Sequence, residues 1–261
     1  MIYLDNAATT PVLPEAREAF TAAIANEYAN PSSSHLLGRN AKKLLELSRL
    51  KIAAKLPANM EIIFTSGGTE ANNIALFGAA KLNAKRVGRH IVTTLMEHDA
   101  VRLPVAQLEK QGWEVTRLKP DAQGRIRLEQ FDEAIRGDTA LVSVMSVCNE
   151  TGNVYPVADV SELIRRRRLE TLLHCDAVQA FGKLVIPSAD LITISAHKIG
   201  GVKGSGALAI NNKRLRPSNF PPLMFGGGQE SGVRSGTEAL PLIAAFAAAA
   251  ESAGAFTHEC K

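Results

Sequence analysis

Lys198 stands in the stretch Ser195-Ala196-His197-Lys198-Ile199-Gly200-Gly201, directly after the apolar run Leu191 to Ile194. A lysine held still and partly desolvated at a strand end has a lowered pKa and can form a Schiff base with a carbonyl. Other polar residues follow other apolar runs. Ser66-Gly67-Gly68-Thr69 follows Glu61 to Thr65, and Met96-Glu97-His98-Asp99 follows His90 to Thr94. Asn149-Glu150-Thr151-Gly152 follows Leu141 to Met145, and Asp176 with Gln179 follows Leu172 to Cys175. A glycine turn that opens a helix offers free N–H groups and the helix dipole to a phosphate. A carboxylate keeps a pyridine nitrogen protonated, a flat imidazole lies against a ring, and an amine carries an aldehyde. These are the parts of a pyridoxal phosphate site. Taken singly, each residue has an ordinary alternative. Asp176 could cap a helix, His98 could be one more hydrogen-bonded histidine, and Asn149 and Gln179 could satisfy loop backbone. Only together do they make a site.

What must bring them together is a sheet. Helical patterns alternate with the apolar runs: Pro14 to Asn26, a long helix ending near Leu56, a helix opened by Ser66 to Glu70 and running to about Leu82, Ala100 to Gln111, Leu128 to Ile135, Val160 to Arg168 and Glu238 to Glu251. Gly206 to Ile210 reads as a further strand, and Ile2 to Leu4 as a short strand or extended entry. Strands alternating with helices predict an α/β fold, a mainly parallel sheet flanked by helices. In such a sheet the carboxyl ends of the strands share one edge, so the polar residues converge on one crevice. Small residues in Asp5-Asn6-Ala7-Ala8-Thr9-Thr10-Pro11 would let backbone approach a ligand there.

Composition excludes other classes. Of 261 residues, 46 % are hydrophobic and 21 % charged, enough for a sizeable core. The net charge of +4 is mild, and the run Arg165 to Arg168 reads as a solvated helix end. An aromatic content of 5 % offers no stacking platform, so no nucleic-acid partner is expected. Cys148, Cys175 and Cys260 lack metal-ligand spacing, so no metal is expected and a reducing cytoplasm is the natural home. No segment reads as a signal peptide or a membrane span.

The motifs carry a resemblance. Tyr3 to Pro11, Asn30-Pro31-Ser32-Ser33, Phe64 to Asn73, Glu97-His98, His174 to Gln179, Ser195 to Lys198, Gly226 to Glu230 and Arg234-Ser235-Gly236-Thr237 resemble cysteine desulfurases. These are class V aminotransferase-like enzymes of fold-type I, and the Arg-Ser-Gly-Thr form points to the NifS/IscS-type branch. The resemblance runs from Tyr3 to about Leu240. It implies that Lys198 binds the cofactor pyridoxal 5'-phosphate and shuttles protons, that Asp176 pairs with the ring nitrogen, and that His98 stacks on the ring and assists acid–base steps. Gln179 and Asn149 would lie near the ring hydroxyl. Gly68, Thr69, Ser195 and His197 would cradle the phosphate, with Thr237 arriving from the partner subunit of a homodimer. Ala7, Thr9 and Asn30 would border the substrate, L-cysteine. Sulfur would pass to a thiol acceptor for iron–sulfur cluster or thio-cofactor assembly, with a sulfur-acceptor or scaffold protein as partner.

The domain reading is an N-terminal segment 1–12, a cofactor-binding large domain 13–252 and a tail 253–261. Family members continue into a small domain carrying a nucleophilic cysteine and a substrate-gripping arginine. The expectation is that this chain lacks that domain, that Cys260 is not the nucleophile, and that Ile2, Leu4 and the helix from Glu238 are left bare. Gly200 and Val202 replace the family's more usual Tyr and Pro, which should loosen the loop after Lys198. Two alternatives stand beside the desulfurase: a pyridoxal phosphate-dependent cystine or selenocysteine lyase, and a non-catalytic cofactor-binding or inert subunit.

Overall fold

The computed structural model describes residues 2–254, and among them seven strands form one sheet. The strands are β1 (Met60–Thr65), β2 (His90–Thr94), β3 (Glu114–Leu118), β4 (Thr139–Met145), β5 (Leu172–Asp176), β6 (Leu191–Ser195) and β7 (Gly206–Asn211). The helices are α1 (Pro14–Asn26), α2 (Leu36–Ala53), α3 (Gly68–Asn83), α4 (Asp99–Lys110), α5 (Leu128–Ala134), α6 (Val157–Arg166) and α7 (Leu240–Ser252). The sheet order is β1-β7-β6-β5-β4-β2-β3. β2 to β6 pair in parallel, while β7 runs antiparallel to both β6 and β1. β1 therefore points the same way as the parallel set. β7 is the exception because residues 196–205 alone separate it from β6, and a parallel return needs a crossover of roughly a dozen residues or more.

Side chains alternate across the strands and feed two cores. Ile62, Val142, Val144, Leu173, Cys175, Ile192 and Ile194 face α1, α2, α5, α6 and α7. Ile63, Ile91, Leu141, Leu172, Leu191, Leu208 and Ile210 face α3 and α4. The sheet is thus covered on both faces, which leaves the strand ends as the place for polar chemistry.

Three local expectations need correction. α2 stops at Ala53 rather than near Leu56, because Pro57 disfavours helical backbone before it. Residues 2–4 form no strand and lie exposed. α7 is not bare: Leu240, Ile243, Phe246 and most of its alanines are buried beneath α1 and α2, and Phe246 meets Phe181 edge-on at 6.1 Å. Its small residues let those two helices cover it. Ile2 and Leu4, by contrast, are 85 % and 87 % exposed, as expected.

Candidate active site

The ends of β1, β2, β4, β5 and β6 open on one side into a cavity of about 480 Å³. β1 ends at Thr65, and α3 begins three residues on with Gly68 and Thr69 on the cavity wall. The first N–H groups of a helix have no partner within it and point outward along its dipole. Gly68 sits where it does because a Cβ there would lie 2.9 Å from Val178 Cγ2. Asn72, one turn further along α3, also lines the cavity.

Asp176 ends β5 and is buried. Its Oδ1 accepts the Val178 N–H at 3.0 Å, and its Oδ2 accepts Asn72 Nδ2 at 2.8 Å. Burial raises its pKa, while the bonds from Asn72 and Val178 and the nearby His98 and Lys198 act in the other direction. The carboxylate is thus fixed in place yet short of positive charge.

β6 ends at Ser195, and a single 3₁₀ turn, Ala196–Lys198, brings His197 and Lys198 to the cavity. Lys198 Nζ donates to the carbonyls of Ala7 and, at 2.8 Å, Ala8. Burial lowers its pKa, against the pull of Asp5 and Asp176. His197 is lowered too, by burial and then by Lys198 and Lys203, and its Nδ1 lies 3.2 Å from Thr9 Oγ1. The loop after Lys198 is clipped, not loose. Gly200 is buried with φ +84, donates to Thr10 Oγ1 at 2.7 Å and accepts the Leu13 N–H at 2.8 Å. A Cβ there would run into Leu13, so the glycine tightens the turn that its sequence context suggested it would free.

The remaining walls come from loops. His98 caps α4, its Nδ1 accepting the Ala100 N–H at 3.0 Å, and its exposed ring borders the cavity. That bond leaves Nε2 to carry the proton of the neutral ring. Asn149 lies in a turn closed by the Val147–Val154 bridge and by Cys148 N–H to Asn153 O at 2.9 Å. Gln179 Nε2 donates to Ala7 O at 2.8 Å.

The cavity therefore gathers Ala7, Gly68, Thr69, His98, Asn149, Asp176, Gln179, Ser195, His197 and Lys198. Thr9 lies just behind, against His197. Asn30 and Thr237 lie outside the cavity lining and are exposed; the Asn30 side chain is turned onto the Ser32 N–H at 2.8 Å. Sequence reasoning passed over Asn72, although its one-turn spacing from Gly68 on α3 placed it on the same helix face. It also passed over Asp5. Cys148 and Cys175 are buried and free. Cys260 lies outside the described residues. Among the described residues no cluster of His, Cys, Asp or Glu is placed to hold a metal, and no helix is long and apolar enough to cross a membrane.

The donor set fits pyridoxal phosphate. Ser195 Oγ is buried beside the α3 N-terminus with no hydrogen-bond partner among the described residues, a donor waiting for an oxygen. The buried Asp176 lacks the cation that a protonated pyridine would supply. Lys198 is the amine with a lowered pKa.

Residues 2–257 match the aminotransferase class-V family. A cysteine desulfurase of Trichormus azollae is 43 % identical over 256 residues, which cover 96 % of this chain and 62 % of that protein. The solved structure of a NifS-like protein superposes with a TM-score of 0.91 at 37 % identity, over 99 % of this chain and 71 % of that one. The structure titled SspA in complex with cysteine gives 0.88 at 37 % identity, over 96 % and 72 %. The chain thus spans a little under two thirds of the length of that desulfurase relative, and it belongs to the class V aminotransferase family.

Proposed function

We propose that this class V aminotransferase family member binds pyridoxal 5'-phosphate through Lys198 and serves a cysteine desulfurase of the NifS/IscS type. The carrying observation is the single cavity into which five strand ends deliver an amine, a buried carboxylate, an imidazole and a helix N-terminus. When bound, the cofactor supplies an electron sink that weakens bonds at the substrate's α-carbon. The residues of the chain do the rest. Lys198, whose pKa burial lowers, would hold the cofactor's aldehyde through Nζ and would be the group placed to move protons at the substrate. Asp176, held by Asn72 and the Val178 N–H, keeps a proton on the ring nitrogen. His98, held by its Nδ1 to the Ala100 N–H, would stack against the ring and assist acid–base steps. Gly68, Thr69, Ser195 and His197 take the phosphate, with Thr237 reaching it from a second copy in a homodimer. Asn149 and Gln179 attend the ring hydroxyl, and Ala7, Thr9 and Asn30 border the substrate.

The proposed substrate is L-cysteine, in keeping with the desulfurase relative and the cysteine-bound neighbour. The proposed product is L-alanine, with sulfur passed to a thiol acceptor or scaffold protein in the cytoplasm. Residues 13–252 form the proposed cofactor-binding domain. The test is direct. Protein mixed with pyridoxal phosphate develops a visible absorption band, and borohydride bleaches it while fixing the cofactor's mass on Lys198. Protein that stays colourless on titration overturns the reading. With L-cysteine, alanine identifies the desulfurase, whereas pyruvate with ammonia identifies a lyase.

A further inference from the structure

The sheet splits where the cavity opens. β2 and β4 pair at His90–Thr139, Ile91–Leu141 and Val92–Val142, and their ladder ends there. β4 continues against β5 through Met145–Asp176, leaving Thr94 and Met145 as strand ends with no rung between them. The buried side chain of Glu97 crosses this gap. Its Oε1 accepts the Thr94 hydroxyl at 2.8 Å and the Met145 N–H at 3.1 Å. Thr94 Oγ1 in turn accepts the Met96 N–H at 3.1 Å, closing the turn that leads out of β2. His98 follows Glu97 in the chain, and Asn149 is carried by the loop that follows Met145.

We infer that Glu97 is a positioning residue: its carboxyl bridge between the ends of β2 and β4 fixes His98 and Asn149 relative to each other across the cavity. The inference rests on the proposed function only for what those two residues do, since the bridge itself is independent of it. The electrostatics explain what form the bridge takes. Glu97 Oε2 is buried with no hydrogen-bond partner among the described residues. The titratable groups facing Glu97 are Asp176 and Cys175 from β5, with Cys148 and Tyr155 from the segment after β4. Burial, then the Asp176 and Cys148 charges, push its carboxyl up to about 8, against the bonds from Thr94 and Met145. At neutral pH the bridge is therefore chiefly an uncharged acid. It ties the strand ends together without setting a second negative charge beside Asp176. Because its folded pKa lies above the ordinary 4.5, the stability it contributes is complete below that value and is lost as pH rises through about 8.

The experiment compares the full chain with Glu97→Gln, which keeps the accepting oxygen and cannot ionise, and with Glu97→Leu, which removes it. Thermal unfolding of the ligand-free proteins is followed from pH 5 to 9, and pyridoxal phosphate affinity is measured by absorbance titration at pH 7. The midpoint of Glu97→Gln gains on wild type by several degrees as pH rises to about 8, then the gap levels off. Its pyridoxal phosphate affinity stays within about threefold of wild type. Glu97→Leu, which strands a buried N–H and hydroxyl, binds pyridoxal phosphate about tenfold more weakly. Parallel unfolding curves for Glu97→Gln and wild type, or wild-type affinity in Glu97→Leu, would overturn the inference. If Glu97→Leu does not fold, Glu97→Gln decides: affinity lost along with the charge overturns the uncharged bridge. Failure of all the proteins to take up pyridoxal phosphate overturns the cofactor reading instead, and the unfolding curves still judge the bridge.

Discussion

Two of the cavity's walls are unlike. One is the sheet edge, where Asp176 and Ser195 end strands that are buried on both faces. The other is the N-terminal segment, whose residues 5–8 are exposed and belong to no strand or helix. The second is held to the first by hydrogen bonds and by the attraction between Asp5 and Lys198. Lys198 donates to Ala7 and Ala8, Gln179 to Ala7, and Thr10 N–H to His197 O at 2.9 Å. Asp176 and Ser195 sit on the wall that packing immobilises. The wall that must yield is made of backbone carbonyls. Lys198 belongs to both, since in the proposed function it would have to leave the Ala7 and Ala8 carbonyls to hold the cofactor's aldehyde. Loops built this way open at a small fraction of the global unfolding free energy.

The comparison is broken or sharpened most strongly at Lys198. Lys198→Ala should bring turnover to background and abolish borohydride fixation, while the sheet-edge wall still takes up pyridoxal phosphate without a covalent link. Fixation on another lysine would show that the amine has been assigned to the wrong wall.

Asp176→Asn comes next. Without a charge facing the ring nitrogen, turnover should fall by at least about 10²-fold. Stability should move the other way. Burial raises the folded pKa of Asp176, so the stability it contributes is present below the ordinary carboxylate pKa and is lost as pH rises. Asparagine escapes that loss. The ligand-free variant gives up one of the two accepting oxygens, yet its unfolding midpoint should gain on that of wild type as pH rises above the ordinary carboxylate range. Parallel unfolding curves for the two proteins would show that the buried Asp176 charge carries no cost.

The smallest effect belongs to the exposed wall. Gln179→Ala removes one hydrogen bond to Ala7 O, worth about 1 kcal/mol. Hydrogen exchange over residues 5–10 should quicken, with pyridoxal phosphate affinity changing by no more than about fivefold. An effect as large as that of Asp176→Asn would mean that the two walls are not mechanically distinct.

Much of this was legible in the chain. The apolar runs located strands, and the polar residues just beyond them located the cavity, because a parallel sheet gathers its carboxyl ends whatever the sheet order. Lys198, Asp176, His98 and the Gly67-Gly68-Thr69 turn needed nothing more. Residues whose role depends on a neighbour across the fold were not legible. Asn72 matters because Asp176, from another element, lies within hydrogen-bond distance. Gly200 looked like a loosening change until Leu13 was found against it. The closing helix was expected bare on the view that a further domain covers it in the family, and nothing in its own residues says that α1 and α2 lie over it.

The sequence by itself determined the alternation of elements, the edge on which chemistry collects and the residue types gathered there, since these follow from local periodicity and from the direction of parallel strands. Only the tertiary structure decided that β7 turns back against β6, that the N-terminal segment lies across Lys198, and that Glu97 closes the split between β2 and β4. Each of those depends on a contact between residues far apart in the chain. Local pattern carries no record of such contacts, because the free energy that selects them comes from packing and burial in the assembled fold.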